Sequence, residues 1–277
     1  VFKPRAIMAT LPLLIEAEQL LAHLNDDNLL IVDLCKNSVY QQAHIPNAVW
    51  VNGRDLVSGE FPAAGQLPSL DKLTQLFESI GLTADKHIVV YDDEGGGWAG
   101  RFIWTLDIIG HKNYSYLNGG LHAWLAAAYS IDNTPVSVAP SKLTLQLHTP
   151  AQALIADVLA HYQDTTHYVL WDARSVEEYK GSRLLAMRGG HIPHAVHYEW
   201  TNVMDKDNSL KLRPLAIIQQ ELATLGIDNS KTVITYCQTH HRSGLSYLVA
   251  KLLGFNIKAY AGSWSEWGNR QDTPVAV

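Results

Sequence analysis

One stretch carries the strongest structural signal in the chain, Tyr236-Cys237-Gln238-Thr239-His240-His241-Arg242-Ser243-Gly244. The apolar run 232–236 is typical of a buried strand, and the segment 245–253 is typical of a helix. The stretch therefore predicts the end of a strand, a short loop and the N-terminus of a helix. Ser243 is a residue type that often caps helices, so we expect it to be the N-cap.

Cys237 stands at the strand end and faces the start of that helix. The first N–H groups of a helix lack intrahelical partners, and the helix dipole adds positive potential there. A loop that turns its own N–H groups inward forms an anion-binding nest, to which His240, His241 and Arg242 add donors or charge. A thiol in such a place loses its proton easily, and the thiolate is a nucleophile. The competing interpretation is a small buried core cysteine.

The loop from Cys237 to Arg242, its C-terminal position and the chain length of 277 residues resemble the tandem-domain rhodaneses, which are thiosulfate sulfurtransferases. The order Cys-Gln-Thr-His-His-Arg is similar to the loop of bacterial members. The resemblance implies an α/β fold of two duplicated rhodanese-like domains, each a mainly parallel sheet with helices on both faces. It also implies that Cys237 is the catalytic residue and that six residues bind substrate: Gln238, Thr239, His240, His241, Arg242 and Ser243.

An internal repeat supports the duplication. Each half carries the same order of signals: a buried strand ending in Asp, a His-Ile-Pro segment, a second buried strand, a helix ending near Gly, and a Gly-containing turn before a Trp. Alternating strands and helices predict parallel sheets covered on both faces. We expect an N-terminal domain at 8–130, a linker at 131–150 and a catalytic domain at 151–277. The alternating residues 143–147 are typical of an edge strand.

Superposing the halves places Asp92 on Cys237 and Cys35 on Arg174. An aspartate cannot perform thiolate sulfur transfer, so we expect the N-terminal copy to be catalytically silent and to form one wall of the site. Cys35 is most simply a buried core thiol.

Composition excludes several classes of function. The formal charge of −6 gives no reason to expect nucleic acid as a partner. Two cysteines provide no disulfide framework, and no apolar run is long enough to cross a membrane. These features favour a cytoplasmic enzyme. Met8 reads as a natural start, with residues 1–7 as an added leader.

Three weaker patterns resemble cofactor or metal sites, but the residues around each of them argue against such a site, and we expect neither a cofactor nor a metal. The glycines of 95–100 match a dinucleotide fingerprint, but the acid required further along is missing and the segment 92–94 is acidic. His191, His194 and His197 are regularly spaced, yet Pro193 argues against one helical face. His240 and His241 are adjacent within a short nest, which serves an anion better than a tetrahedral cation.

Asp172 and Arg174 resemble an Asp-x-Arg motif of the family. The resemblance implies that they brace the active loop through charge-assisted hydrogen bonds, whereas the alternative is a surface salt bridge at a strand end. Some family members carry a substrate-binding arginine where this chain has Glu178. Arg183 is a possible substitute. The acidic side chain of Glu178 favours a small inorganic dianion as substrate over a carboxylate such as 3-mercaptopyruvate.

The implied reaction is a two-step transfer in which Cys237 takes the outer sulfur of thiosulfate and passes it to cyanide or to a thiol, a class of acceptor that includes protein thiols. Three alternatives remain: a 3-mercaptopyruvate sulfurtransferase, a persulfide carrier without its own donor activity, and a phosphatase or arsenate reductase. The last class has five residues between Cys and Arg, whereas this loop has four.

Overall fold

The protein is described by a computed structural model that covers residues 11–277. Met8 and the leader expected at 1–7 lie outside the described residues. No helix in the described part of the chain combines the length and the apolar character needed to cross a membrane.

The first half folds around a five-stranded parallel sheet. Its strands are β1 (Leu14–Ile15), β2 (Leu29–Asp33), β3 (Val49–Trp50), β4 (His87–Tyr91) and β5 (Tyr114–Leu117). They lie in the order β1-β5-β4-β2-β3, and every pair is parallel. The helices are α1 (Ala17–His23), α2 (Asn37–Tyr40), α3 (Leu70–Ser79), α4 (Gly97–Ile108) and α5 (Gly120–Ala126). A 3₁₀ turn spans Gly53–Leu56.

The second half repeats this topology. Its parallel sheet has β6 (Gln152–Ala153), β7 (Tyr168–Asp172), β8 (Val196–His197), β11 (Thr232–Tyr236) and β12 (Asn256–Tyr260) in the order β6-β12-β11-β7-β8. The helices are α6 (Ile155–His161), α7 (Val176–Tyr179), α8 (Leu215–Thr224), α9 (Arg242–Leu252) and α10 (Ser263–Trp267). An insertion carries a 3₁₀ turn at Trp200–Val203 and a small antiparallel pair, β9 (Met204–Asp205) and β10 (Lys211–Leu212).

Both faces of each sheet are buried, which explains the continuous apolar strands in the sequence. In β2, Leu30 and Val32 belong to one core cluster, whereas Ile31 packs into another on the opposite face. The first of these clusters continues into the second half through residues such as Trp171 and Val233. The two halves therefore share one apolar core, and the predicted duplicated α/β architecture is confirmed.

Helices α4 and α9 cross at the centre of this shared core, and two glycines allow their close approach. A Cβ on Gly100 would lie 2.2 Å from the carbonyl oxygen of Gly244, and one on Gly244 would lie 2.5 Å from the backbone nitrogen of Arg101. Any side chain at either position would collide with backbone. Because Gly100 and Gly244 occupy matching places in the two copies, the crossing is nearly symmetric.

Three expectations differ from the structure. Helix α9 begins at Arg242 with His241 at the N-cap position, so Ser243 lies inside the first turn and is not the cap. The predicted edge strand at 143–147 is wrong, because these residues form no strand. They run beside the first half instead, where the backbone N–H of Leu143 donates to Glu78 and that of His148 donates to Ile108. The sequence pattern predicts this helix over 100–109, whereas helix α4 begins three residues earlier, at Gly97.

Candidate active site

Cys237 lies at the carboxyl end of β11, and its side chain is almost fully buried, with 1% exposure. Two groups hold its backbone. The N–H of Cys237 donates to the Ser263 hydroxyl at 3.3 Å, and its carbonyl accepts from the N–H of Trp264 at 2.9 Å. Ser263 has a left-handed backbone (φ 54°) and donates its own hydroxyl to the Tyr260 carbonyl. The start of α10 therefore fixes the position of the thiol.

The surroundings of Cys237 favour its anionic form. Burial raises the pKa of the thiol, but the charge of Arg242 and hydrogen bonds from the Ser243 hydroxyl and from the N–H groups of Ser243 and Thr239 outweigh burial. The net result is a pKa below the ordinary thiol value. The loop therefore supplies the anion nest expected from its position before a helix.

His240 does not face the substrate side of the loop. Its ring is completely buried, stands edge-on to Trp104 of the first half, and has Nδ1 2.7 Å from the Ser243 hydroxyl. Burial, Arg101 and His241 hold the pKa of His240 well below its ordinary value, so the ring is neutral. Since the hydroxyl of Ser243 donates to sulfur, its oxygen accepts from the Nδ1–H of His240. The expectation that His240 adds charge to the nest and binds substrate directly therefore disagrees with its placement.

Four other loop residues, Gln238, Thr239, His241 and Arg242, are half-buried. His241 stacks on Trp98 with ring centroids 4.3 Å apart, and its Nε2 lies 3.2 Å from a carboxylate oxygen of Glu94. The contact with His241 lowers the pKa of Glu94. Gln238 donates to the carbonyl of Leu185 at 2.9 Å. Trp98 and Glu94 belong to the first half, so both copies enclose the loop.

Arg242 is held by Glu178, a pairing that sequence reasoning did not anticipate. Two nitrogens of the guanidinium donate to the two carboxylate oxygens at 2.6 and 2.8 Å, and Glu178 is 1% exposed. Such a two-point contact fixes the plane of the guanidinium. Arg242 still acts on the Cys237 sulfur through its charge, but part of that charge is balanced by Glu178. Arg183, the suggested substitute, is exposed and its backbone N–H donates to the Glu177 carbonyl.

Asp172 and Arg174 form a buried pair beneath the loop. Arg174 donates to Asp172 at 2.6 Å and to the carbonyl of Gly190 at 2.8 Å, and its guanidinium lies 4.4 Å above the ring of Trp264. Both side chains are within 1% of full burial, so the alternative of a surface salt bridge is wrong. Asp172 and Arg174 act on Cys237 indirectly, through Trp264. Arg174 packs on the ring of Trp264, and the backbone N–H of Trp264 donates to the Cys237 carbonyl.

Comparison with known proteins agrees with this geometry. The profile of the Rhodanese-like domain matches twice, at residues 16–127 and 155–270. The chain belongs to the rhodanese family. It is 46% identical over 273 residues to the thiosulfate sulfurtransferase of Pseudomonas aeruginosa, covering 98% of this chain and 100% of that one. It is 47% identical over 270 residues to the thiosulfate sulfurtransferase of Azotobacter vinelandii, covering 97% and 98%.

The rhodanese fold is also found in solved structures. The crystal structure of SseA from Escherichia coli, described as a 3-mercaptopyruvate sulfotransferase, superposes with a TM-score of 0.81 at 24% identity, covering 92% of this chain and 99% of that one. At that identity the likeness shows the fold alone. Together with the double profile match it confirms a tandem-domain rhodanese with parallel sheets and helices.

In the first rhodanese domain of this chain the matching nest is filled by its own side chain. The carboxylate of Asp92 accepts from the N–H groups of Glu94, Gly96 and Ala99 at 2.8–3.0 Å. Asp92 is fully buried, and its donors are backbone groups that would otherwise bind an external anion. Cys35 is also buried, and burial together with Asp33 raises its pKa, which suppresses its thiolate.

The histidines considered as metal ligands in the second domain make protein contacts. His191 Nδ1 lies 2.8 Å from the Tyr179 carbonyl, and His197 Nε2 lies 2.8 Å from the Arg174 carbonyl. His194 has a left-handed backbone at the turn between them. No cluster of three potential metal ligands occurs within residues 11–277.

Sequence reasoning missed Ser263, Glu178 as the partner of Arg242, and the particular residues by which the first domain forms the expected wall of the site. One signal was available for Ser263, because its counterpart in the first copy is Gly120, which also has a positive φ. A hydroxyl at that place distinguishes the copy that carries Cys237. The contributions of Trp98 and Glu94 had no local signal, since they depend on how the domains pack.

Proposed function

We propose that this rhodanese is a thiosulfate sulfurtransferase that carries the sulfane sulfur on Cys237. The observation that carries the proposal is the buried thiol of Cys237, whose pKa is lowered by three hydrogen-bond donors and the charge of Arg242. A buried sulfur anion with several donors suits both a thiolate nucleophile and the terminal sulfur of a persulfide. The identity of 46–47% to thiosulfate sulfurtransferases supports the same donor.

The first step is an attack by the Cys237 thiolate on the outer sulfur of thiosulfate. A bond forms between Sγ and that sulfur, the sulfur–sulfur bond of thiosulfate breaks, and its electron pair leaves with sulfite. In the second step, cyanide or a thiolate attacks the outer persulfide sulfur, and the Cys237 thiolate is the leaving group. Neither step requires a metal or an organic cofactor.

The loop residues have separate proposed roles. Thr239 and Ser243 hold the sulfur anion through hydrogen bonds, and neutral His240 orients the hydroxyl of Ser243. Arg242 supplies positive charge for the dianionic donor and the departing sulfite, at an orientation set by Glu178. Gln238 and His241, which are partly exposed, border the entrance. Asp172 and Arg174 support the start of α10.

A dianionic donor fits this site better than a carboxylate such as 3-mercaptopyruvate. The position where some relatives carry a substrate-binding arginine holds Glu178, whose two oxygens are occupied by Arg242. The proposed acceptor is cyanide in an assay and, in the cell, a thiol, a class that includes protein thiols. We place the activity in the cytoplasm and the catalytic chemistry in the second domain alone.

The test is the intact mass after treatment with thiosulfate. The protein should become heavier by one sulfur atom, the added sulfur should map to Cys237, and cyanide or dithiothreitol should remove it. One equivalent of sulfite should be released in the same step, which separates an enzyme from a carrier loaded by a partner. Cys35→Ser is the control and should still load. Sulfur on Cys35, or no loading at all, would contradict the proposal.

A further inference from the structure

Arg101 is a buried cation at the active loop that none of the proposed steps uses. It belongs to α4 of the first domain, and its side chain is completely buried. Its guanidinium donates to the carbonyls of Leu56 and Gly65 at 2.6 and 2.8 Å, while its Nε has no partner. Among residues 11–277 no carboxylate lies within ion-pair distance of it, although buried charges are normally paired.

The surroundings of Arg101 place it against the active loop. Its guanidinium lies 4.6 Å from the ring centroid of Trp104, and the same ring meets His240 edge-on at 4.7 Å. Gly65, which accepts from Arg101, also abuts the loop, because a Cβ on Gly65 would fall 2.6 Å from the Thr239 carbonyl oxygen. Burial lowers the pKa of Arg101, and the Cys237 charge acts in the opposite direction.

The repeat gives an independent reason to connect Arg101 with the nest. Gly100 and Gly244 match at the helix crossing, so Arg101 and Leu245 match as the next residues. Leu245 reaches across to the first copy's nest, where a Cβ on Gly96 would fall 2.9 Å from its Cδ1. Arg101 on α4 and Leu245 on α9 thus both point towards the nest of the other copy. The nest that holds the Asp92 carboxylate faces a leucine, and the nest that holds the thiolate faces an arginine.

We propose that Arg101 is a positioning residue by which the silent domain supplies a second fixed positive charge to the sulfur anion of Cys237. Arg242 is already balanced by Glu178, whereas Arg101 has carbonyl oxygens and the Trp104 ring beside it and no carboxylate partner among residues 11–277, so its charge is available to the thiolate and to the persulfide. The N-terminal copy is then electrostatically part of the active site. This proposal rests on the proposed function for its role in transfer, but not for its effect on the thiol.

The test measures how the rate of alkylation of Cys237 by iodoacetamide depends on pH. The reagent is uncharged, and mass spectrometry of the peptide that contains Cys237 separates its reaction from that of Cys35. Arg101→Gln keeps a donor for the carbonyls without charge, and Arg101→Met keeps the apolar stem. Either should raise the pH midpoint by about one unit, the size expected from the loss of a nearby opposite charge. Arg101→Lys should give a clearly smaller shift.

Lys251→Met is the matched control. Lys251 is also a cation at the domain interface, but it is bound to Asp107 and lies nine positions after Arg242 on α9, about 13 Å along the helix. Its removal should leave the midpoint unchanged. Circular dichroism and the unfolding midpoint of each variant establish folding.

Three results would overturn the proposal: an unchanged midpoint in a folded neutral variant, an equal shift in Lys251→Met, or failure of both neutral variants to fold, which would make Arg101 a structural residue. Alkylation needs no sulfur donor. A parent protein that never loads sulfur would therefore refute the proposed function and leave this inference intact.

Discussion

At the scale of single residues, the charge next to Cys237 depends on pairing. Arg242 is fixed by Glu178, whose carboxylate is buried, and the pair moderates the positive potential at the sulfur. His240, although basic in type, is neutral because it is buried beside Arg101. The basic residues of the loop therefore contribute unequally: Arg242 gives charge, His240 gives orientation, and His241 meets the Glu94 carboxylate.

We expect opposite shifts when the two members of the Arg242 pair are neutralised. The Cys237 pKa is depressed, so its thiolate is present above that pKa and is lost as the pH falls through it. Arg242→Gln removes a favourable charge and should move the alkylation midpoint upward, with thiosulfate turnover reduced about 10- to 150-fold. Glu178→Gln leaves Arg242 unbalanced and should move the midpoint downward, towards acid.

The control is Glu177→Gln, the adjacent acid on α7, which is exposed to solvent. It removes the same formal charge but should leave the midpoint unchanged, because water screens it. An upward shift for Glu178→Gln would mean that the carboxylate acts on Cys237 only through the position of Arg242.

At the scale of elements, the site is organised by the crossing of α4 and α9. The crossing brings Trp98 and Trp104 of one domain against the loop of the other, with Arg101 beside Trp104. It is possible because backbone meets backbone at Gly100 and Gly244, so the two helices lie closer than side chains would allow.

We expect Gly244→Ala to disrupt both stability and transfer. The new methyl group would fall 2.5 Å from the nitrogen of Arg101 and 2.6 Å from the carbonyl oxygen of Gly97, and neither backbone can move freely within a packed core. The free energy of unfolding should fall by about 1–3 kcal/mol or more, as measured by urea denaturation. Transfer should fall as well, since Arg101 moves with α4.

A suitable control is Gly226→Asn. Gly226 has a left-handed backbone (φ 78°) with no atom near its virtual Cβ, and asparagine tolerates that conformation. It should stay close to the parent in stability and transfer. Equal losses in both variants would show that the contact at the crossing is not the cause.

At the scale of the whole molecule, duplication has produced two similar nests with different contents. The first nest is occupied by Asp92 and faces Leu245, while the second holds Cys237 and faces Arg101. In place of Arg242, the first copy has Trp98. The donors of the nest are therefore common to both copies, and the cations are specific to the second site.

We expect that moving the thiol alone will not move the activity. In the double variant Asp92→Cys, Cys237→Ser, position 92 keeps its N–H donors but gains no cation and stands beside two acids, Asp93 and Glu94. Thiosulfate should therefore load no sulfur there, and the alkylation midpoint at position 92 should stay at or above that of an ordinary thiol. The single variant Asp92→Cys is the control and should load sulfur once, on Cys237. Sulfur at position 92 would show that backbone donors suffice.

The sequence alone determined the duplicated α/β plan and predicted Cys237 as the nucleophile. Strands such as 87–91 and 232–236 are continuous apolar runs, and the loop that follows Cys237 precedes a helix, so both signals are local in the chain. Local signals also mislead. Serine is a residue type that often caps helices, but α9 already begins at Arg242, one residue before Ser243. Residues 143–147 alternate like a strand, yet they run along the first domain without joining its sheet.

Only the tertiary structure decided which charges act on Cys237. The effect of a charge depends on burial, on its partner and on its distance from the sulfur, and all three arise from contacts between residues far apart in the chain. Glu178 reaches Arg242 across 64 positions, and Arg101 comes from the other domain. Local patterns in the sequence place the thiol before its helix, but domain packing determines which cations surround it.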